Sequence, residues 1–145
     1  MKVFLGLILF VSTPWAFGQV SGWDVLDKVK FSPKYFEQIK TDLLTPIMDS
    51  YAKSIDGKEI TIKGYYIPIG AEHNLMIVSK FPYRMCFFCG GAGPQSVVEV
   101  YFPKGKKVPI YPTDKLVKVK GRLKINATDI EKLNFVLYDA VEIKE

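Results

Sequence analysis

Five stretches of the second part of the chain are predicted to form β-strands, and in the first of them apolar and polar residues alternate with a period of two. The first stretch starts at Lys58, where Ile60 and Ile62 alternate with Thr61 and Lys63. This alternation is typical of a β-strand that buries one face and exposes the other. The first strand is predicted from Lys58 to Ile69, and four more follow at Leu75 to Ser79, Val97 to Phe102, Leu116 to Ile125 and Phe135 to Ile143.

Two of these strands carry a glycine near their middle, Gly64 and Gly121. A glycine inside a long strand allows the sharp bend that a strand makes at the corner of a small barrel. Five bent strands are typical of the OB-fold, a Greek-key barrel. We therefore predict a mainly β protein with an OB-like barrel over residues 55–145, and a two-layer β-sandwich is the alternative architecture.

The period changes in the preceding part of the chain, where residues 19–54 are predicted to form a helical segment that packs on the barrel. Ser32 and Pro33 resemble a helix N-cap followed by proline at the first helical position. Apolar residues then recur at helical spacing, at Tyr35, Phe36, Ile39 and Leu43. This pattern predicts a helix from about Pro33 to Leu44.

Two shorter stretches flank this predicted helix. Before it, the sequence from Trp23 to Leu26 is expected to pack its apolar side chains onto the domain. After it, Ile47 to Ser54 is expected to hold a further turn or short helix.

Residues 1–18 have the features of a secretory signal peptide. Lys2 precedes an apolar run from Val3 to Val11, Pro14 interrupts it, and small residues lie at Ala16 and Gly18. The apolar run is shorter than the roughly 18 residues that a membrane span needs. The sequence thus predicts cleavage before residue 19, export to the periplasm or the medium, and no membrane span in the mature protein.

The formal net charge is +5, and many residues are aromatic. In an intracellular protein, this positive charge and aromatic content would suggest nucleic acid as a binding partner. Here the lysines alternate with apolar residues, as in the stretch from Lys115 to Lys120, which is how the solvated face of a strand looks. Together with the predicted export, this pattern argues against a nucleic-acid partner.

The only two cysteines, Cys86 and Cys89, have C-x-x-C spacing. Residues that favour a tight turn follow them: Gly90, Gly91, Gly93 and Pro94. Glycine at position 90 disfavours covalent haem, whose motif needs histidine there. A metal site, a redox pair and a structural disulfide all remain open.

Metal binding would use the two thiolates, which make half of a tetrahedral site. Further ligands would come from His73, the only histidine, from a carboxylate, or from a second molecule. Met85 beside Cys86, with Met76 elsewhere, offers soft sulfur that would suit Cu(I). The candidate ions are therefore zinc and copper.

A redox pair would need an activated thiolate, and Cys86 is the candidate because Arg84 lies two residues away. The glycines after Cys89 disfavour the helix that usually activates such a thiol, although their amides could form an anion-binding nest. A structural disulfide suits an oxidising compartment. It would contribute only about 2 kcal/mol, because the loop it closes is so short.

Three strings together resemble a family of small exported bacterial proteins of the Bacteroidetes type. They are the stretch from Gly57 to Ile69, the string C-F-F-C-G-G-A-G-P from Cys86 to Pro94, and Lys120 to Leu123. The similarity extends over most of the chain after residue 22. What the resemblance implies is an exported, barrel-like domain; it implies no activity and supplies no catalytic residue.

The sequence offers no Ser/His/Asp set, no phosphate-binding glycine loop and no convincing pair of carboxylates, so no catalytic residue is assigned. The preferred interpretation is a non-enzymatic binding domain with the cysteine loop as its site. Its partner would be a metal or an unidentified protein. A thiol-disulfide protein, or an interaction domain with a structural disulfide, is the alternative.

Overall fold

The computed structural model describes residues 21–70 and 74–145, and it is dominated by a closed barrel of five strands. A two-stranded hairpin and two short helices precede or overlie the barrel. In chain order, the elements are α1 (Gly22–Leu26), β1 (Phe31–Phe36), β2 (Thr41–Pro46), α2 (Ser50–Ile55), β3 (Glu59–Ile67), β4 (Met76–Ser79), β5 (Val97–Val100), β6 (Leu116–Ile125) and β7 (Phe135–Glu142).

The barrel strands follow the order β3-β4-β5-β7-β6, and β6 closes the ring on β3. All pairs are antiparallel except β5 and β7, which run parallel. The fourth barrel strand in sequence therefore lies beside the first, which is the Greek-key arrangement. The prediction of a small OB-like barrel is confirmed, and the β-sandwich alternative is wrong because one sheet closes on itself.

The inside of the barrel is filled by apolar side chains from every strand. Met76 and Val78 of β4 point inward with Val98 and Val100 of β5, and all four are fully buried. Since neighbouring residues of a strand point to opposite faces, Ile77, Val97 and Glu99 lie on the outer face. These outer residues are buried as well.

Strands β4 and β5 are thus covered on both sides, and the outer cover determines where the candidate site lies. Four buried residues form a separate small cluster, which we call the outer cluster: Ile67, Ile77, Cys86 and Val97. Phe87 and Leu133 pack against it. The cover therefore comes from the connection between β4 and β5 and from the one between β6 and β7.

The predicted helix from Pro33 to Leu44 is wrong, because this stretch belongs to the hairpin of β1 and β2. Lys40, in the turn, has a positive φ of 51°, a conformation that a helix excludes. Phe31 makes an edge-to-face contact with Phe135, with ring centroids 5.9 Å apart, and Phe36 is buried. Packing against the barrel therefore outweighs the helical spacing.

The two short helices agree with the other expectations for the N-terminal part. In α1, Trp23 and Leu26 are buried in the main core, and the indole Nε1 of Trp23 donates to the carbonyl of Lys63 at 2.8 Å. Asp49 caps α2 by accepting from the amide of Ala52 at 2.9 Å. Ala52 and Ile55 of α2 are buried in the same core as Trp23 and Leu26, so both helices pack on the barrel.

A glycine permits the close approach of two barrel strands at one predicted bend. A Cβ atom on Gly64 would clash with the carbonyl oxygen of Ser79 on β4 and would lie 2.9 Å from Cγ1 of Val78. The absence of a side chain at position 64 therefore lets β3 bend tightly over β4.

The predicted signal peptide and His73 lie outside the described residues. Within residues 21–70 and 74–145, no helix is both long and apolar enough to cross a membrane.

Candidate functional site

The connection between β4 and β5, which contains both cysteines, folds back across the outer face of these strands. It consists of three single 3₁₀ turns, at Tyr83–Met85, Phe87–Cys89 and Pro94–Ser96. We call residues 83–96 the cysteine loop. Its only fully buried cysteine is Cys86, whose side chain belongs to the outer cluster. The loop is therefore anchored to the barrel through one of its two thiols.

Backbone hydrogen bonds hold the C-x-x-C turn closed. The carbonyl of Cys86 accepts from the amides of Cys89 and Gly91, both at 3.2 Å. The amide of Gly90 donates to the carbonyl of Phe87 at 3.0 Å. These three amides are engaged inside the turn, so they are not directed at an external anion as the nest hypothesis requires.

The residues after the second cysteine shape the loop as the sequence suggests. Gly90 adopts a φ of +75°, the left-handed region that glycine enters without strain. A Cβ atom on Gly91 would lie 2.8 Å from the carbonyl oxygen of Met85, so the chain approaches itself too closely for a side chain. Pro94 is buried and starts the last 3₁₀ turn, whose N-cap is Gly93.

The two sulfur atoms lie 4.0 Å apart, and both cysteines are free thiols in the structure, so no disulfide joins them. Cys89 is exposed whereas Cys86 is buried. The accessible thiol is therefore Cys89, whereas the sequence named Cys86 as the candidate attacking thiolate because Arg84 lies nearby. Desolvation, together with the hydrogen bond and the charge of Cys86, raises the pKa of the Cys89 thiol.

The two methionines considered as metal ligands, Met85 and Met76, differ in their exposure to solvent. Met85 directly precedes Cys86 in sequence and is 57% exposed. Met76 is buried inside the barrel and belongs to the main core, which separates it from the loop. Within the described ranges, no group of three His, Cys, Asp or Glu side chains is arranged to hold a metal ion.

A polar network on the outer face was not predicted from the sequence. The buried carboxylate of Glu99 accepts from the hydroxyl of Tyr101 and from the amide of Leu133, both at 2.8 Å. Lys132 donates to the hydroxyl of Tyr101 at 3.1 Å. This network fastens the β6–β7 connection, residues 126–134, over the outer face of β5.

The same network shifts two pKa values. Burial, helped by the neighbouring Glu99 carboxylate, raises the pKa of Tyr101 against the opposing effect of Lys132. The hydrogen bond to Tyr101 raises the pKa of Lys132, which therefore remains a cation. A lone glutamate inside the apolar strand from Val97 to Phe102 was the one signal that pointed to this network.

A cavity of about 360 Å³ lies between the hairpin, the cysteine loop and the β6–β7 connection. Phe87, which lies between the two cysteines in sequence, forms part of its wall. The outer face of the barrel thus carries a thiol pair and, beside it, a partly enclosed space.

No protein-family model and no curated protein matches the chain. A solved structure that is similar to it is the crystal structure of a DUF3299 family protein from Pseudomonas aeruginosa PAO1. The two are 16% identical, with a TM-score of 0.45, over 70% of this chain and 68% of the other.

Proposed function

We propose that this protein is an exported, non-enzymatic binding domain whose Cys86 and Cys89 thiolates hold one soft metal ion, with Cu(I) as the best match. The observation that carries the proposal is the separation of 4.0 Å between the two sulfur atoms. The pair is fixed by the hydrogen-bonded turn on one side and by burial of Cys86 on the other.

The separation fits two sulfurs on one ion. With metal–sulfur bonds of about 2.3 Å, two sulfurs stand about 3.8 Å apart in a tetrahedral site, about 4.0 Å in a trigonal site and about 4.6 Å in a linear one. The observed distance of 4.0 Å lies within this range and agrees best with trigonal coordination. A metal would therefore need little rearrangement of the loop.

The number of ligands favours a soft ion that accepts few of them. Structural zinc takes four ligands, and the described residues supply no third member from His, Cys, Asp or Glu. Thiolate and thioether sulfurs suit Cu(I). The exposed thioether of Met85 is the nearest soft donor in sequence and is our candidate for the third position.

Electrostatics support a bound cation. The charge of Cys86 is one of the causes that raise the pKa of Cys89, because two thiolates at this distance repel each other. A cation between the sulfurs would remove this repulsion. Binding should therefore release protons and strengthen as the pH rises.

The test is an anaerobic titration of the fully reduced protein with Cu(I) against a chromogenic Cu(I) chelator. We expect one ion per chain and an ultraviolet thiolate-to-copper absorption band. Cys89→Ser should abolish binding without unfolding the barrel, since Cys89 is exposed. Met85→Leu should weaken binding at least several-fold, and Zn(II) in the same assay should bind more weakly than Cu(I).

Two results would overturn the proposal. One is failure of the reduced wild-type protein to compete with the chelator. The other is copper binding that survives in Cys89→Ser. A stoichiometry of one ion per two chains would instead show that a second molecule completes the site, and would displace Met85 from the assignment.

A thiol-disulfide function is the second candidate, because one thiol is exposed and the other lies 4.0 Å behind it. Cys89 would attack the disulfide of a partner, and Cys86 would then displace the partner's second thiol, leaving a Cys86–Cys89 disulfide. The raised pKa of Cys89 opposes the first step, because less thiolate is present at neutral pH. Incubation with oxidised glutathione separates the candidates: rapid formation of the internal disulfide would favour the redox function.

A further inference from the structure

We propose that the cavity beside the cysteine loop binds a small neutral apolar molecule about the size of two or three aromatic rings. This site is distinct from the thiol pair, and it does not depend on metal binding. The occupant is inferred from the cavity's volume, its walls and the charges at its rim.

The volume sets the size of the ligand. Ligand sites in proteins usually begin at about 300 Å³, and an apolar cavity of about 150 Å³ accommodates one benzene molecule. The cavity of about 360 Å³ is therefore large enough for two or three rings, and too small for a long lipid.

The walls are mostly apolar and come from three separate parts of the chain. The hairpin contributes Phe36 and Leu44, the cysteine loop contributes Phe87 and Pro94, and the β6–β7 connection contributes Leu133. Leu44 is 51% exposed although it borders this concave space. An apolar ligand would remove this exposed surface from water, which is a favourable change.

The charges at the rim argue against an anionic ligand. Two carboxylates, Asp42 and Asp129, line the cavity together with one ammonium group, Lys132, and the ammonium of Lys34 donates to a carbonyl of the β6–β7 connection at the same wall, at 3.4 Å. The ammonium of Lys132 is already engaged with the hydroxyl and the ring of Tyr101, and it lies 4.8 Å from the ring centroid. The formal charges around the cavity therefore balance, and both ammonium groups already have partners, so an anion buried against these mostly apolar walls would lose hydration without gaining a free cation, a cost that a neutral molecule does not incur.

Two fluorescent probes that differ by one charged group test both the shape and the charge. N-phenyl-1-naphthylamine is neutral, and 8-anilino-1-naphthalenesulfonate has the same aromatic skeleton with a sulfonate. We expect saturable binding of one neutral probe per chain, and binding of the sulfonate at least tenfold weaker.

A matched pair of leucine variants locates the bound probe. Leu44 and Leu116 are each 51% exposed and each lies in a strand, but only Leu44 lines this cavity. Leu44→Asp should weaken binding of the neutral probe at least tenfold, whereas Leu116→Asp should change it less than twofold. Thermal unfolding followed by circular dichroism checks that both variants fold.

A space-filling variant provides a second test that removes no apolar group. Ala127→Phe, at the half-buried wall position in the β6–β7 connection, should fill the cavity and also weaken binding at least tenfold.

The proposal is overturned if the neutral probe does not saturate, if Leu44→Asp and Leu116→Asp behave alike, or if the sulfonate binds as tightly as the neutral probe. Sedimentation velocity adds a further check. A dimer that Leu44→Asp converts to a monomer would assign the cavity to a second copy of the chain, and would overturn the small-molecule assignment. Cu(I) binding by Leu44→Asp is expected to be unchanged, so failure of this proposal leaves the metal proposal intact.

Discussion

The two faces of strands β4 and β5 are both buried, yet they are built differently. Among the residues that the structure describes, eighteen form the buried core of the inner face, and they come from α1, α2, the chain after α1 and all the barrel strands. The outer face belongs to a cluster of four, and loops cover it in place of strands. The inner face is enclosed by a closed hydrogen-bonded sheet, whereas the outer face depends on side chains reaching over it.

Within one strand, the inner face therefore contributes to the stability of the barrel, and the outer face supports the loops that carry the candidate site. Val98 and Val97 are neighbours in sequence, and both are buried, but Val98 packs into the barrel and Val97 packs under the cysteine loop. Loops expose reactive groups more readily than strands do, and they open at lower free-energy cost. The outer face is thus suited to binding because the inner face already holds the barrel together.

The largest effect is expected from truncating the inner face. Leu137 is fully buried in the main core, so Leu137→Ala should lower the free energy of unfolding by about 2–5 kcal/mol. Urea denaturation followed by circular dichroism measures this change. A loss below about 1 kcal/mol would contradict the view that the inner core supplies most of the stability.

A smaller loss of stability is expected from breaking the hydrogen-bond network of Glu99 on the outer face. In Glu99→Gln one of the two acceptor oxygens becomes an amide group, so Tyr101 and Leu133 can no longer both be satisfied. We expect a loss of about 1–3 kcal/mol in the same denaturation assay. Glu59→Gln is the control, because Glu59 is exposed and its pair with Lys120 should contribute little. Equal losses in the two variants would refute the network's role.

A substitution in the cysteine loop should change the accessibility of Cys86 more than the stability of the whole protein. Phe87 packs against the outer cluster, so Phe87→Ala should uncover Cys86 while the barrel stays folded. We expect alkylation of Cys86 by iodoacetamide, followed by mass spectrometry, to accelerate at least tenfold, with Cys89 changing less than twofold. Phe88→Ala is the control, because Phe88 is exposed. Equal acceleration in both variants would show that Phe87 does not shield the buried thiol.

The smallest effect concerns proton affinity alone. A raised pKa leaves less thiolate at neutral pH, so alkylation of Cys89 should be slower at pH 7 than that of an unperturbed cysteine and should increase with alkaline pH. Cys86→Ala removes the hydrogen bond and the charge that help to raise this pKa. The midpoint of the pH–rate profile of Cys89 should therefore move to lower pH, and an unchanged midpoint would refute coupling between the thiols.

Strands β3 and β6 of the barrel were predictable from sequence because buried residues alternate with more exposed ones along much of each strand. The alternating apolar residues from Lys58 onward, and from Leu116 to Ile125, are the ones that face the core of the barrel. Strand β6 has the bounds that the sequence predicted. Glycine at position 64 lies where β3 approaches β4 too closely for a side chain. These signals are local, so a single sequence contains them.

The hairpin was not predictable in the same way. Tyr35, Phe36, Ile39 and Leu43 have helical spacing, but only Phe36 among them is buried. The contact of Phe31 with Phe135 joins residues that are far apart in sequence, so it cannot be predicted from a local sequence pattern. Tertiary packing decided the structure of this segment.

The candidate site lies between these two cases. The glycine signals predicted a tight turn at Cys86 and Cys89, and the structure has one. Which thiol is buried depends on the outer cluster, so the sequence alone did not reveal that Cys86 is buried and Cys89 is exposed. The cavity could not be predicted, because its walls meet only after the hairpin and the β6–β7 connection fold onto the barrel.

The parallel pairing of β5 with β7 has a consequence for the order of events during folding. It joins Val100 to Leu137, and this pair cannot form until most of the chain has been synthesised. Contacts between residues distant in sequence form late and slow folding. The cover of Cys86 includes Leu133, which lies just before β7, so we expect both thiols to be open to oxidants in the nascent chain. The shielding of Cys86 can therefore be complete only after the chain has been synthesised as far as Leu133.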